Sequence, residues 1–493
     1  MNLPAGKKEI IFALSILCSS LFLVNSMLFG GLYLGFAIGF CLCILCSSIY
    51  LICAGNKPDF YTTALLVSSL IAGASFARSD DGTVKFVLLM LLIVTANLAL
   101  CLLSGKNHRR PESAASLLDS VQAFSRGFSG ISDACAGIGD TCRSGGAFVK
   151  KGGAVLLGIG ISLPLLLILV PLLMTADAAF EGLMDQLPAF SFSDVLLTLI
   201  FGSGFALVTY TQGVSLQHRD PQPKAPTLPK GLSSITVNTI LTAVCVVYSA
   251  YLASQLAYFA GGFSGILPAE YTLAEYARRG FFEMAWLCAL NLSIIVGALW
   301  VCKQKDPTPR FTRILCLFLG IMTLFLVSTA SAKMLLYINS YGLTRLRVLT
   351  QVVMVFFGIV TVLVCLWLFL PKLPYMKCVM LTALLLAALV SWADVDTVVA
   401  RYNTHSYLSG KMETVDTRYL NDLGDGAVPY LVQLHREAPD AHVRDAAYRA
   451  LTHRQESATD LRSWNYASHI ARAYLEDYTP AEPDILPNTD RET

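Results

Sequence analysis

Hydrophobic positions along this chain fall in long blocks rather than in alternation with polar ones. A bilayer's hydrocarbon core, about 30 Å thick, is crossed by roughly 20 apolar residues of helix, and that window finds repeated matches. The run from Ile10 to Cys53 is too long for one crossing, and Gly30-Gly31 supplies a turn that divides it. Further blocks run Phe60 to Phe76, Val84 to Leu103, Val155 to Met174, Val195 to Tyr210, Ile235 to Phe259, Phe281 to Val301, Ile314 to Ser331, Val348 to Leu370 and Cys378 to Trp392. The expected fold class is all-α: a polytopic transmembrane helix bundle of about 11 spans with a small helical C-terminal domain. Lys7 and Lys8 precede the first block, but no small-residue cleavage site follows it, so it reads as a span and not as a signal peptide.

Alternate loops differ in Lys and Arg, as the positive-inside rule requires. With the N-terminus cytoplasmic, the inner loops hold Lys57; then Lys106, Arg109, Arg110, Arg126, Arg143, Lys150 and Lys151; then Arg219, Lys224 and Lys230; then Lys303, Lys305, Arg310 and Arg313; then Lys372 and Lys377. The opposite loop from Ala176 to Asp194 carries Asp177, Glu181, Asp185 and Asp194 without a cation. An odd number of spans then leaves the C-terminus extracytoplasmic.

In linear order the chain reads as a four-span hydrophobic region (1–103), a cytoplasmic amphipathic loop (104–154), a seven-span core (155–393), a helical extracytoplasmic domain (394–477) and a disordered acidic, Pro-rich tail (478–493). In the first region Gly31, Gly35 and Gly39 form a small-xxx-small stripe suited to close helix packing. Pro164 and Pro171 lie on nearly the same face of their span, where each frees a backbone carbonyl; such helices kink, and some line transporter sites. In the loop, Leu117, Val121, Phe124, Phe128, Ile131, Cys135, Ile138 and Cys142 recur at helical spacing, while Gly127, Gly130, Gly137 and Gly139 weaken a rigid rod. That combination predicts a helix lying on the membrane or on the cytoplasmic ends of the spans. The connector from Thr211 to Ser234 is Pro-rich.

Composition agrees: 55% of the 493 residues are hydrophobic and only 14% charged. The net charge of +2, with no basic block, speaks against nucleic acid. The 14 cysteines end at Cys378 and imply no disulfide framework. From Asp394 onward 17 acidic residues face 10 Lys and Arg, an excess of seven negative charges. There Val428, Leu431 and Leu434, then Val443, Ala447 and Leu451, mark two short amphipathic helices resembling one HEAT-type repeat, which must bury its face on neighbours such as a helix around Leu461 to Leu475.

The chemistry-bearing stretch is AEYTLAEYARRGFFEMAWLCALN, Ala269 to Asn291. One helix from about Thr272 places Glu275, Arg279 and Glu283 on a single stripe descending toward the bilayer, with Asn291 two turns beyond Glu283. Charge at that depth faces a bundle interior or cavity and has a partner. An interfacial belt of Tyr271, Tyr276, Phe281 and Phe282 is the plainer alternative.

AEYARRGFFE, INSYGLTRLRVLT (Ile338 to Thr350) and VDTVVARYN (Val395 to Asn403) resemble a bacterial multi-pass membrane family of unknown function, domain of unknown function 4173, related to 4153. The resemblance runs from roughly Ser234 to Tyr430 and implies a membrane protein with no functional residues to carry over. In the expected topology these motifs share the outer face, so the candidate polar cluster is Glu275, Arg279, Glu283, Lys333, Arg345, Arg347, Asp394 and Asp396. It is either a closed ion-pair network or a site whose Arg forks grip an anionic ligand.

No GxxxxGK[ST], strand-linked GxGxxG, HExxH or GxSxG occurs, and His435, His442, His453 and His469 lack ligand spacing. No catalytic residue, cofactor or metal is therefore expected. The partners expected are the lipid bilayer and either an anionic ligand or an envelope protein. Transport or export of a small or envelope-related solute is the first functional reading, and an envelope scaffold or signalling role through the C-terminal domain and the cytoplasmic loop is the second.

Overall fold

A computed structural model describes residues 7–78, 80–105, 192–218, 233–263, 281–302, 310–370, 372–452 and 460–478, with isolated helical positions between 121 and 131 and at 169 and 172. Every regular element among the described residues is helical. Among the described residues nine helices are long and apolar enough to cross a membrane. They are α1 (Lys7–Phe29), α2 (Leu34–Cys53), α3 (Phe60–Ala74), α4 (Gly82–Leu103), α5 (Phe192–His218), α6 (Ser234–Phe263), α8 (Arg310–Tyr341), α9 (Arg345–Phe369) and α10 (Tyr375–Ala393). Between them α7 (Phe281–Cys302) contributes the shorter apolar stretch Met284–Leu299. The remaining expected span, Val155 to Met174 with Pro164 and Pro171, lies outside the described residues apart from positions 169 and 172, as do most of 104–154 and the tail beyond 478. Five short helices follow: α11 (Val395–Leu408), α12 (Thr417–Asp422), α13 (Val428–Glu437), α14 (Ala441–Thr452) and α15 (Tyr466–Glu476).

The chain divides into two compact units. Unit 1 comprises Met1–Lys224, Ala387–Asp394 and Gln455–Ala473; unit 2 comprises Ala225–Leu386, Val395–Arg454 and Tyr474–Thr493. In unit 1 two glycines of the expected stripe, Gly35 and Gly39, pack helices, while Gly31 lies in the turn before α2 with φ +83°. A Cβ on Gly39 would lie 2.7 Å from the Leu23 Cα, and one on Gly35 2.6 Å from the Ser26 Oγ, so only glycine lets α1 and α2 approach this closely. Gly202 brings α5 against Leu21 of α1 in the same way. At one end of this unit Asn56 donates to Gln217 (2.9 Å) and Lys8 to the Cys53 carbonyl (2.7 Å), while Gln212 donates to Asn97.

Unit 2 is built on an apolar core shared by α6 to α9, with Leu241, Cys288, Ile295, Cys316, Leu319, Leu326 and Met354 buried. One polar chain runs through it: Tyr248 donates to Asn291 (2.8 Å), whose amide donates to Thr323 (3.1 Å). Asn291, on the face the charged stripe predicted, is thus a satisfied interhelical link in the bundle interior. The HEAT-like pair exists as α13 and α14, which bury Val428, Leu431, Val432 and Leu434 against Ala447 and Leu451. Its neighbours are α11 and α12, which offer the buried Val399 and Leu420. A Cβ on Gly426 would meet the Thr397 Oγ1 at 2.8 Å, so glycine lets the turn before α13 settle onto α11.

At 32 residues α8 is roughly 48 Å long, more than a hydrocarbon core requires. Met334-Leu335-Leu336-Tyr337-Ile338 sustain the helix to Tyr341, so Lys333 lies within it and not beyond it, 23 residues from Arg310 and half-buried.

Candidate functional site

In unit 2 the turn between α8 and α9 is built for one geometry. Gly342 takes φ +77°, a left-handed conformation that costs a residue with a Cβ. A Cβ there would also meet the Asn403 Oδ1 at 2.8 Å and the Met412 Cε at 2.9 Å. Asn403 of α11 reads the turn's backbone twice, accepting from the Leu343 N–H and donating to the Leu343 carbonyl, both at 2.8 Å. Thr344 then caps α9 by accepting from the Arg347 N–H.

Two cations of the expected cluster leave this turn, and both have partners inside the fold. Arg345 grips the buried Asp396 with a two-pronged fork, Nε to Oδ1 and Nη2 to Oδ2 at 2.8 Å. Its backbone N–H donates to the Tyr419 hydroxyl (2.9 Å), and Nη2 also reaches the Asp422 carbonyl. Burial pushes the Tyr419 phenol up from its ordinary range, opposed by the Arg345 N–H and guanidinium. Arg347 folds back to donate to the Tyr341 and Gly342 carbonyls and lies 4.0 Å over the Tyr337 ring. Chemically this is a clasp: it fixes α11 and α12 to the α8–α9 turn and holds charge in place without presenting a nucleophile and base.

Unit 1 holds a second charged centre, at the start of α4. Lys85 is 3% exposed, and its ammonium lies 3.6 Å over the Tyr33 ring, within electrostatic reach of Asp80, Asp394 and Asp81. Asp81 caps α4, accepting from the Thr83 and Val84 N–H groups, and Tyr33 donates to Asp80. Asp394 follows α10 with φ +54°, the sole non-glycine positive φ among the described residues; Asp tolerates that region better than most. The end of α10 is tied down beside it, with Trp392 donating to the Ile71 carbonyl (3.0 Å) and Ser75 to Ser391 (2.8 Å).

At this end of unit 1 the C-terminal chain lies across the interhelical turns. The Leu34 and Gly35 N–H groups donate to the Trp464 and Arg462 carbonyls, and the Ala467 N–H donates to the Arg78 carbonyl. Arg462 donates to Asn25 (3.2 Å), and the Arg78 guanidinium sits 4.0 Å over Tyr466. A Cβ on Gly30 would lie 2.6 Å from the Arg462 Cβ. The exposed Asp460 is held below the usual carboxylate range by its hydrogen bond from Arg462.

Of the eight residues expected to cluster, the structure joins Arg345 with Asp396 and places Arg347 beside them. Asp394, two positions before Asp396, belongs to unit 1 and faces Lys85. Glu275 and Arg279 lie outside the described residues, and so does the side chain of Glu283, whose backbone opens α7. Lys85, Asp81 and Tyr33 escaped the sequence reading; the sole signal was a lysine as the second residue of an apolar block beginning at Val84. Among the described residues no three His, Cys, Asp or Glu side chains could hold a metal ion.

The spanning helices define an integral, polytopic, all-helical membrane protein. The model of the domain of unknown function DUF4153 matches residues 34–434, and the chain belongs to that family. The match ends within α13, so it takes in the clasp and Lys85 but not the 460–467 segment. No curated protein and no solved structure matches the chain.

Proposed function

We propose that this chain is a membrane-embedded scaffold of a bacterial cell envelope, whose C-terminal helical module meets an envelope protein on the extracytoplasmic side. The observation that carries this reading is the clasp. Arg345 and Arg347, two of the four cations in the expected cluster, are engaged by Asp396, by backbone carbonyls and by Tyr337, while α14 directs the exposed His442 and Arg449 outward. Solute transport rested on Glu283 and on the Pro164–Pro171 span, and no described residue adds to it. Kinship with domain of unknown function 4173 rests on the three motifs quoted above.

Loop charge supports the orientation. The turns of unit 1 that bind 462–467, residues 30–33 and 75–81, carry one cation, Arg78, whereas the other end carries Lys7, Lys8 and Lys57. The positive-inside rule puts the poorer end outside, with the N-terminus cytoplasmic. In-cell photocrosslinking with benzoylphenylalanine at His442 or Arg449 tests the reading. The expected result is the same envelope protein captured from both positions and not from the lipid-facing Phe201. Capture of no recurrent protein by correctly folded chains, or labelling of these positions from the cytoplasm, would reject it.

A further inference from the structure

Within unit 1 the described positions among 121–131 lie far from where a cytoplasmic loop belongs. Val121, Phe124, Ser125, Gly127, Phe128 and Ile131 are helical. Gly127 is buried against α5: a Cβ there would meet the Val208 Cγ1 at 2.9 Å, the Val208 carbonyl at 3.0 Å and the Gln212 Cβ at 3.5 Å. Val208 lies well inside the candidate span Asp194–Gln217. At 1.5 Å per residue it is about 21 Å from Asp194 and about 14 Å from Gln217. Gln217 marks the polar end, since it bonds Asn56 in the α2–α3 turn. The helix therefore docks at hydrocarbon depth and not on the ends of the spans.

The opposite side of this segment is apolar and open. Val121, Phe124 and Phe128 follow at i, i+3 and i+7, are 58%, 39% and 54% exposed, and the two phenyl rings meet edge to face at 5.4 Å. The α5 surface beside it continues the same character: Phe201, Phe205 and Val208 share one helical stripe, with Phe201 and Phe205 exposed and Val208 the residue Gly127 covers. Water is absent at that depth, so this continuous aromatic face meets acyl chains. We propose that the helical positions Val121, Phe124 and Phe128, seated beside α5 through Gly127, lie within the membrane and pack against lipid acyl chains in the leaflet nearer Gln217.

The test uses the full chain in vesicles of phosphatidylethanolamine and phosphatidylglycerol containing a lipid with a diazirine near the middle of its acyl chain. After irradiation, peptide mapping should find adducts on Phe124 and Phe128 to a degree comparable with Phe201 and Phe205. Gly127→Leu should abolish the adducts on Phe124 and Phe128 while those on Phe201 and Phe205 persist, which also reports that α5 remains folded. Labelling of Phe201 and Phe205 with none on Phe124 and Phe128 in the unaltered chain would overturn the proposal. So would oxidation of both phenylalanines by hydroxyl radicals in water, or their crosslinking to a second copy of the chain.

Discussion

Both units receive part of the C-terminal chain at the end of a helix bundle, and they hold it by different physics. In unit 2 the contact is made by side chains: a forked Arg345–Asp396 pair and an Asn403 amide that reads the Leu343 peptide. In unit 1 it is made by backbone, with Trp464 and Arg462 carbonyls accepting from the α1–α2 turn and room made by Gly30 and Gly35. Side-chain clasps are chemically marked, tune their strength through charge, and can be broken one atom at a time. Backbone straps depend on shape, so the residue that matters is often the one that is smallest.

This contrast governs how to break each closure. The largest effect falls on the unit 2 turn: Gly342→Ala combines a positive φ with collisions against Asn403 and Met412, an expected cost of about 2 to 4 kcal/mol. Thermal unfolding in detergent measures it, and a loss within error of zero would show that the turn is not fixed by Asn403. Next comes the strap. Gly30→Ala places a methyl against Arg462, at a cost of about 1 to 3 kcal/mol. Trypsin should then cut after Arg462 faster than in the unaltered chain, with the Arg345–Asp396 clasp intact; equal rates would separate Gly30 from the strap.

The smallest effect is one of pH. Burial favours neutral Tyr419 in the fold, so its folded value lies above that of the unfolded chain, about 10. Its contribution is complete below that value and is lost as pH rises through it toward the folded one. Between pH 8 and 11 the unaltered chain should lose stability relative to Tyr419→Phe, and parallel curves would deny that this phenol is buried beside Arg345.

The bundle itself was legible because twenty-residue apolar blocks have almost one physical solution in lipid, and ten of the eleven expected spans appear as helices. Arg345 and Asp396 were legible as charges in polar motifs flanking spans. Lys85 was not, because a single cation at the second residue of an apolar block resembles a snorkelling end until Tyr33 and Asp394 are seen beside it. Nor could sequence separate Asp394 from Asp396, since nothing local reports that the left-handed Asp394 ends one unit and Val395 begins the other. Of the amphipathic stripe, Val121, Phe124 and Phe128 lie among the described helical positions, and the neighbour they sit beside is reported by Gly127 meeting Val208, a contact between residues 81 positions apart in the chain.

The central claim is that Arg345 closes the α8–α9 turn onto α11 through Asp396. A double-mutant cycle on Arg345→Ala and Asp396→Ala, read by thermal unfolding of the full chain in detergent, tests it most directly. The clasp predicts that each single variant is destabilised by about 2 to 4 kcal/mol, because each strands a charge the other satisfied, and that the double variant loses no more than the worse single. Single losses that simply add in the double variant would contradict it, and would return Arg345 to the status of a cation awaiting a ligand.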